Sequence, residues 1–514
     1  MPRTGLAVGL VLLVAGAATL LASTAVGGPP TATRSGTPQA VDADVDDPLD
    51  ISANNTPTLA RNPTDADNLV LVHRIDQPTF GCGLHTSADG GSTWQERVIP
   101  QPPDTEPKCY APDVAFGANG TLFVSYVMLQ GLGNVPESVW LASSTDGGRT
   151  LSQPQQITGS LAFQVRLVAH PTVPDHLAIF WLQAEDTATL AFPGTGYPIV
   201  MAGTQDGGES WQEPVQVSDR ARERVLAPVP AMAEGGDLSV LYLDVLDDRL
   251  NYHGGHEGQA GPTYPGPWEL VLARSTDDGR SWSETTVDAE LVPIDRYLVF
   301  VPPLPSLAVD GDRLYAAFHD ARLGDADVWL WASDDAGASW QTPVRVNHNE
   351  PEGGTSQHLP QVDVAPDGRV DVLYYDRQAD PDDVMTEVSL QSSGDGGRTF
   401  GPRFNVSGGA FAWPGPWSHG ERPELGSRLA LISGLRQSLA AWPDMRADTL
   451  DVGEQDIYWA AVAFEGSRLG AAGSWRVVGL LLMTAGIIML AARAVQVPPS
   501  ATSPSQSGVI HSGA

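Results

Sequence analysis

Three arginines stand at or beside the starts of short strands that the sequence predicts, Arg166, Arg224 and Arg422. Guanidinium groups brought together grip a carboxylate or a sulfate through paired, charge-assisted hydrogen bonds. Near them lie Asp113, Gln361 and Glu424, polar at places where related segments carry Leu167 and Val229, and Glu421, beside Arg422. Such a set either binds a charged ligand or lines a wet, mixed-charge channel. A second set repeats an aromatic, one residue, then Asp: Tyr242 with Asp244, Phe318 with Asp320, Tyr374 with Asp376 and Trp442 with Asp444. Arg322, Arg377 and Arg446 follow closely in three of them. A ring of Asp and Arg can hold a polar ligand, but repetition favours a structural use, each pair pinning its own loop, because a binding site breaks the symmetry of a repeat. No cofactor is expected. Calcium is the one ion the acidic run at Asp380, Asp382 and Asp383 suggests, and that run lacks the spacing of a calcium loop.

The elements that must position these residues come in seven copies. A phrase of five residues ends at Ala60, Ala115, Ala169, Ala231, Ala308, Asp363 and Gly426, and six copies carry Pro at one place: Pro57, Pro112, Pro228, Pro305, Pro360 and Pro423. Arg166 stands there in the third copy. Each phrase precedes an apolar run such as TLFVSYV or LSVLYL, short, rich in β-branched and aromatic residues, and bounded by Gly, Pro and Asp. A third run and a fourth follow. Four short antiparallel strands repeated seven times predict an all-β, seven-bladed β-propeller, with six blades as the alternative if the last copy is degenerate. The seventh unit has a third strand but nothing after it, and the segment from about Val41 to Ser52 is available to close the ring.

Six units carry a turn signature between third and fourth strands: SADGGSTW, STDGGRTL, TQDGGESW, STDDGRSW, SDDAGASW and SGDGGRTF. Its Asp (Asp89, Asp146, Asp206, Asp277, Asp335, Asp395) can accept hydrogen bonds from backbone two or more residues on, and a following Gly supplies positive φ. The closing aromatic plugs the turn against the sheet. The signature resembles the Asp-box, or BNR repeat, of sialidases and other propellers, and the likeness runs over almost the whole region from residue 41 to 466. It implies a propeller fold in which the boxes are scaffold. In sialidases three arginines grip the substrate carboxylate, a Tyr paired with a Glu is the nucleophile and an Asp is the acid/base. The Phe-Arg-Ile-Pro opening of that family is missing here, since LARNP around Arg61 lacks its Phe and Ile, and seven units exceed the family's six. No catalytic residue carries over.

The rest of the chain frames this domain. Residues 1–25 read as a signal peptide or signal anchor, 26–40 as a linker, 475–495 as a transmembrane helix between Arg476 and Arg493, and 496–514 as a disordered tail. The propeller is therefore expected at the cell membrane on its extracytoplasmic side. A net charge of −33 repels nucleic acid and anionic lipid. Cys82 and Cys109 fall in loops on one face, which permits a disulfide. Both ends of the domain should leave on the face that carries the signatures. Two functions follow from different classes: a propeller binding glycan or cell-surface protein ligands on the face opposite the signatures, or a sialidase-like exo-glycoside hydrolase acting on extracellular glycans.

Overall fold

The computed structural model describes residues 31–42, 53–76, 79–186, 197–248, 264–294, 303–412, 425–447 and 454–465. All lie in one compact unit, Gly28–Gly466. Both apolar terminal segments, the tail, Glu421, Arg422 and Glu424 lie outside the described residues.

Seven antiparallel sheets, each with a core of four strands, form the seven blades. Their inner strands are Asn54–Asn62, Cys109–Phe116, Ala162–Ala169, Val225–Met232, Ser306–Asp310, Gln357–Val364 and Ala430–Ser433. The second strands bury both faces, because each sheet packs against a neighbour on either side, and their side chains are accordingly mostly apolar without alternation. Trp181, Trp331, Trp442, Tyr242 and Tyr374 are among the largest side chains wholly removed from water, each contributing on the order of 2–3 kcal/mol through apolar burial.

Inner strands begin on one face of the ring, and third strands run away from it into the signature turns on the other. These are called below the mouth face and the signature face. Each signature closes on itself. Asp89 accepts from Ser87 Oγ (2.8 Å), Thr93 N (2.8 Å) and Thr93 Oγ1 (2.8 Å), while Gly91 N donates to Ser87 Oγ (2.8 Å). Asp146, Asp206, Asp277, Asp335 and Asp395 repeat this pattern.

The ring is closed by an N-terminal strand, but from further upstream than the run beginning at Val41. Thr31–Arg34 and Gln39–Ala40 both pair with the third strand of blade seven, Asp456–Glu465, with Thr31 opposite Glu465. That third strand is ten residues long, and its far end can only be matched by residues before position 35. The expected linker thus supplies the seal. Glu465 ends a third strand, so the described chain leaves the domain on the signature face, beside Thr31.

Blade seven meets blade one over a tight seam. A Cβ on Gly91, whose φ is +90°, would stand 2.3 Å from the Trp459 indole, and within blade one a Cβ on Gly83 would stand 1.9 Å from the ring of His73, its partner across the sheet. His73 Nε2 lies 3.1 Å from His85 Nε2 and 3.7 Å from Asp42 Oδ2, while Asp42 Oδ1 accepts from Ile457 N (2.7 Å).

Candidate functional site

The mouth is shaped by a bulge repeated at the start of five inner strands. Thr56, Ala111, Gln164, Ala227 and Leu359 all adopt left-handed backbone with φ between 47° and 57°. Strand pairing skips there and resumes at Thr58, Asp113, Arg166, Val229 and Gln361. The bulge bends the strand and re-aims the residue after it. This register corrects the sequence alignment of blade three: Val165 takes the proline place, and Arg166 is the counterpart of Asp113.

Asp113 is the centre of the resulting group, only 1% exposed. It accepts hydrogen bonds from Arg166 Nε (2.9 Å), Thr58 Oγ1 (2.9 Å) and Leu167 N (3.0 Å), and Arg428 Nη2 lies 3.7 Å away. Arg428 also donates to Pro57 O (3.1 Å) and to Thr58 Oγ1. Blades seven, one, two and three are tied together by these contacts. Burial opposes ionisation of Asp113, yet the Arg166 and Arg428 guanidiniums more than offset it and hold the carboxyl below its usual range. Burial, the Arg166 charge and more weakly the Arg74 charge pull Arg428 down to about 9 against the attraction of Asp113. The side chains of Arg166 and Arg428 remain 16% and 11% exposed.

Beside this knot stands Arg74, from the second strand of blade one. It forms a salt bridge to Asp76 (2.7 Å), donates to Tyr110 Oη (3.1 Å) and places its guanidinium carbon 5.0 Å from the Tyr110 ring centroid. Asn55 Nδ2 donates to Asp76 as well (2.9 Å). Phe80 meets Tyr110 edge to face, with ring centroids 5.4 Å apart. The disulfide Cys82–Cys109 braces this arrangement, since Cys82 lies opposite Arg74 across the sheet and Cys109 precedes Tyr110.

No family model matches the chain, and no curated protein does. Solved structures similar to it include a protein of unknown function from Dyadobacter fermentans, 14% identical over 85% of this chain and 100% of that one, TM-score 0.46. An α-L-arabinanase from Penicillium chrysogenum complexed with arabinobiose is 16% identical over 71% and 96%, TM-score 0.39. A polysaccharide lyase described as an ulvan lyase is 13% identical over 85% and 96%, TM-score 0.44. Likenesses this distant say nothing of what this chain binds.

The other predicted residues divide cleanly. Gln361 takes the equivalent place in blade six and donates no hydrogen bond to the knot. Arg224 is buried in blade four, where it donates to Leu246 O (2.8 Å), and does not reach the mouth group. The seventh inner strand is Ala430–Ser433, so the phrase ending at Gly426 lies before it, and Arg428 occupies the mouth. The repeated Asp and Arg residues pin loops. Asp320 accepts from Arg322 N (3.3 Å) and Nε, Asp376 from Gln378 N (2.9 Å), and Asp444 from Arg446 N (2.9 Å). Arg377 donates to Asp383 O (2.6 Å) and Thr386 Oγ1 (3.1 Å).

These Asp residues have a partner that the sequence concealed. Each faces another carboxylate across the sheet: Asp244 opposite Glu269, Asp320 opposite Asp327, Asp376 opposite Glu387 and Asp444 opposite Asp456. Like charges directly opposite one another repel, and arginines offset the repulsion. Arg222 reaches Asp244 and Glu269 at 2.7 Å each, and Arg403 reaches Asp376 at 3.0 Å and Glu387 at 2.7 Å. A Tyr–Glu pair also exists, Tyr242 Oη with Glu284 Oε1, but Tyr242 is wholly buried within blade four and Arg222 holds Glu284 at 2.8 Å. It is a strut within the blade. Among the described residues, no group of three or more His, Cys, Asp or Glu side chains is arranged to hold a metal ion.

Proposed function

We propose that this chain is a membrane-anchored, extracytoplasmic propeller that binds a negatively charged glycan at the axial mouth opposite its signature turns. The observation that carries this reading is the mismatch of charge at the mouth. Two guanidiniums, Arg166 and Arg428, converge on the single buried carboxylate of Asp113, with Arg74 close enough to depress Arg428 further. An excess of positive charge at one spot on a protein of net charge −33 attracts anions there. Partly exposed guanidiniums whose partner leaves hydrogen-bonding capacity unused are suited to a carboxylate or a sulfate. The likeness of the turn signature to that of sialidases supports a glycan as the carrier of that charge.

Anchoring rests on the apolar segments at both ends of the chain. Binding without turnover is preferred over hydrolysis because the Tyr–Glu pair is enclosed in blade four. The test is a titration of the purified full-length protein with acidic and neutral oligosaccharides, with Arg166→Ala and Arg428→Ala in parallel. Acidic ligands should bind, weaken at least tenfold in either variant, and emerge chemically unchanged. Equal affinity for neutral ligands, or release of cleaved products, would overturn the reading.

A further inference from the structure

The signature face holds charges that the scaffold leaves unused. We infer that a cleft between the signature turns of blades one and two binds a dicarboxylic amino acid, with one carboxylate on Arg97, the other on Arg149 and the ammonium toward Asp65. This site is separate from the mouth and does not depend on what binds there.

The cleft has a volume of about 530 Å³ and is lined by both turns together with the first hairpin and the fourth strand of blade one. That volume suits a small ligand, but neither an aromatic nor a large aliphatic side chain lines it, so the ligand must be polar throughout. Its floor is fixed by amides. Asn68 Nδ2 donates to Ser87 O (3.2 Å) and across to Gly147 O of blade two (3.1 Å), while Asn62 Nδ2 donates to Asn68 Oδ1 (3.1 Å). Thr64 N and Oγ1 donate to Asn62 Oδ1 (2.9 and 2.8 Å). With the floor's bonds made internally, recognition falls to the charged walls.

Both wall arginines lack the partners that hold their counterparts. Arg280 and Arg398 occupy one place in their signatures, and each donates to the carbonyl of its own Asp, Asp277 O (3.0 Å) and Asp395 O (2.8 Å). Arg149 occupies the same place in the second signature, makes no such bond and lies exposed in the cleft. Arg345 and Arg403, on or beside fourth strands, meet Asp327 (3.3 Å) and Asp376 (3.0 Å). Arg97, beside the fourth strand of blade one, donates among the described residues only to the neutral oxygens Thr86 Oγ1 (3.1 Å) and Gln95 Oε1. Asp65 accepts from Asp67 N (3.2 Å) and meets no cation among the described residues, although both arginines line the same cleft. Opposite charges that share a cleft without pairing suit a ligand that carries the complement of each.

That complement is zwitterionic. Two guanidiniums supplied by different blades match two carboxylates on one molecule, each through paired hydrogen bonds. A plain dianion would also face the signature carboxylates. Asp89 is held below the usual carboxyl range by hydrogen bonds from Thr93 and Ser87, and Asp146, although desolvation opposes its charge, is held at about 2 by Thr150 and Ser144. Together with Asp65 these groups place three negative charges beside the two positive ones, which disfavours a ligand without a cation of its own. An ammonium on the same small molecule turns that repulsion into attraction. Glutamate or aspartate fills part of the cleft, and water bridges the remainder to the hydroxyl and amide groups of the walls.

The experiment is calorimetric titration of the full-length protein with glutamate, with glutarate, which lacks the ammonium, and with glutamine, which lacks one carboxylate. Thermal melts establish that each variant is folded. Glutamate should bind about tenfold tighter than either of the others, one charge-assisted contact being lost in each. Arg97→Ala and Arg149→Ala should each weaken glutamate by about tenfold or more. Asp65→Asn should weaken glutamate and leave glutarate unchanged, and Arg280→Ala, which removes an arginine bonded to its own turn, should alter nothing. Glutarate or glutamine binding as tightly as glutamate would overturn the inference, as would an equal loss in Arg280→Ala, which would mark a general attraction of charge. Loss of glutamate binding in Arg166→Ala with none in Arg97→Ala would place the ligand at the mouth and refute the cleft. The absence of any glutamate binding would refute it outright, while leaving the binding of acidic glycan at the mouth untouched.

Discussion

Asp113→Asn separates the structural and the binding roles of the mouth, because it should move them in opposite directions. The substitution preserves volume and removes one negative charge from between two guanidiniums. Taking one partner from a buried ion pair costs about 3–5 kcal/mol. Asp113 itself is 1% exposed, while Arg166 and Arg428 keep a solvent-facing edge, so the lower end, about 3 kcal/mol, is expected. Urea unfolding followed by tryptophan fluorescence at pH 7 measures the loss. In the same preparation the affinity for an acidic oligosaccharide should rise, since the arginines no longer share their charge with Asp113. A stability loss under about 0.5 kcal/mol would show that solvent screens the pair as it does a surface ion pair. Weaker ligand binding would show that Asp113 is needed to aim the arginines.

Acid should loosen the seam between blades seven and one. Burial holds His73 well below the usual histidine range and His85 at about 4, so the unfolded chain takes up protons first and stability falls as pH drops from about 6.5 toward 4; His85→Gln should reduce that slope by one proton in urea midpoints measured across the range. Asp363 behaves oppositely: burial raises it to about 7, so it contributes stability that is full below the unfolded value near 3.9 and is lost as pH rises through 7. Asp363→Asn should therefore be more stable than the parent at pH 8, by up to about 4 kcal/mol, and equal to it near pH 4. Replacing Cys82 and Cys109 by Ala opens a loop of 27 residues' separation and should cost about 3.5 kcal/mol from chain entropy, together with weakened binding of acidic oligosaccharide, because Arg74 and Tyr110 lose their brace.

The number and kind of blades were legible because turn chemistry and strand patterning are local. A Gly at positive φ and a hydroxyl two residues ahead of an Asp announce themselves in any copy, and six copies, with seven of the strand-opening phrase, cannot be chance. The identity of the mouth was legible only in part. Asp113 and Arg166 stood out because they break the repeat, but the place of Arg166 was off by one residue, since the left-handed Gln164 is not followed by proline as its counterparts are. Arg428 was hidden for a related reason: the seventh inner strand begins after the proline phrase, so alignment by proline pointed to residues upstream. Arg74 and Tyr110 carried no signal at all. Each is ordinary in its own strand, and only strand pairing and the packing of one blade on the next bring them together. The cross-strand carboxylate pairs were invisible for the same reason, although their Asp members were noticed.

The strand that seals the ring has a consequence for how the molecule comes into being. Thr33 is bonded to Ala463, 430 residues later, so the first strand to be synthesised is the last to find its partner. Until the final blade emerges, its own edge and that of its future partner are both unpaired, and contacts this remote in sequence form slowly. Folding of the complete ring is thus an event at the end of synthesis, and a chain cut short at either terminus loses the same sheet. A peptide copied from residues 31–40 would compete for that edge during refolding and trap an open ring, with no effect once the native strand has docked.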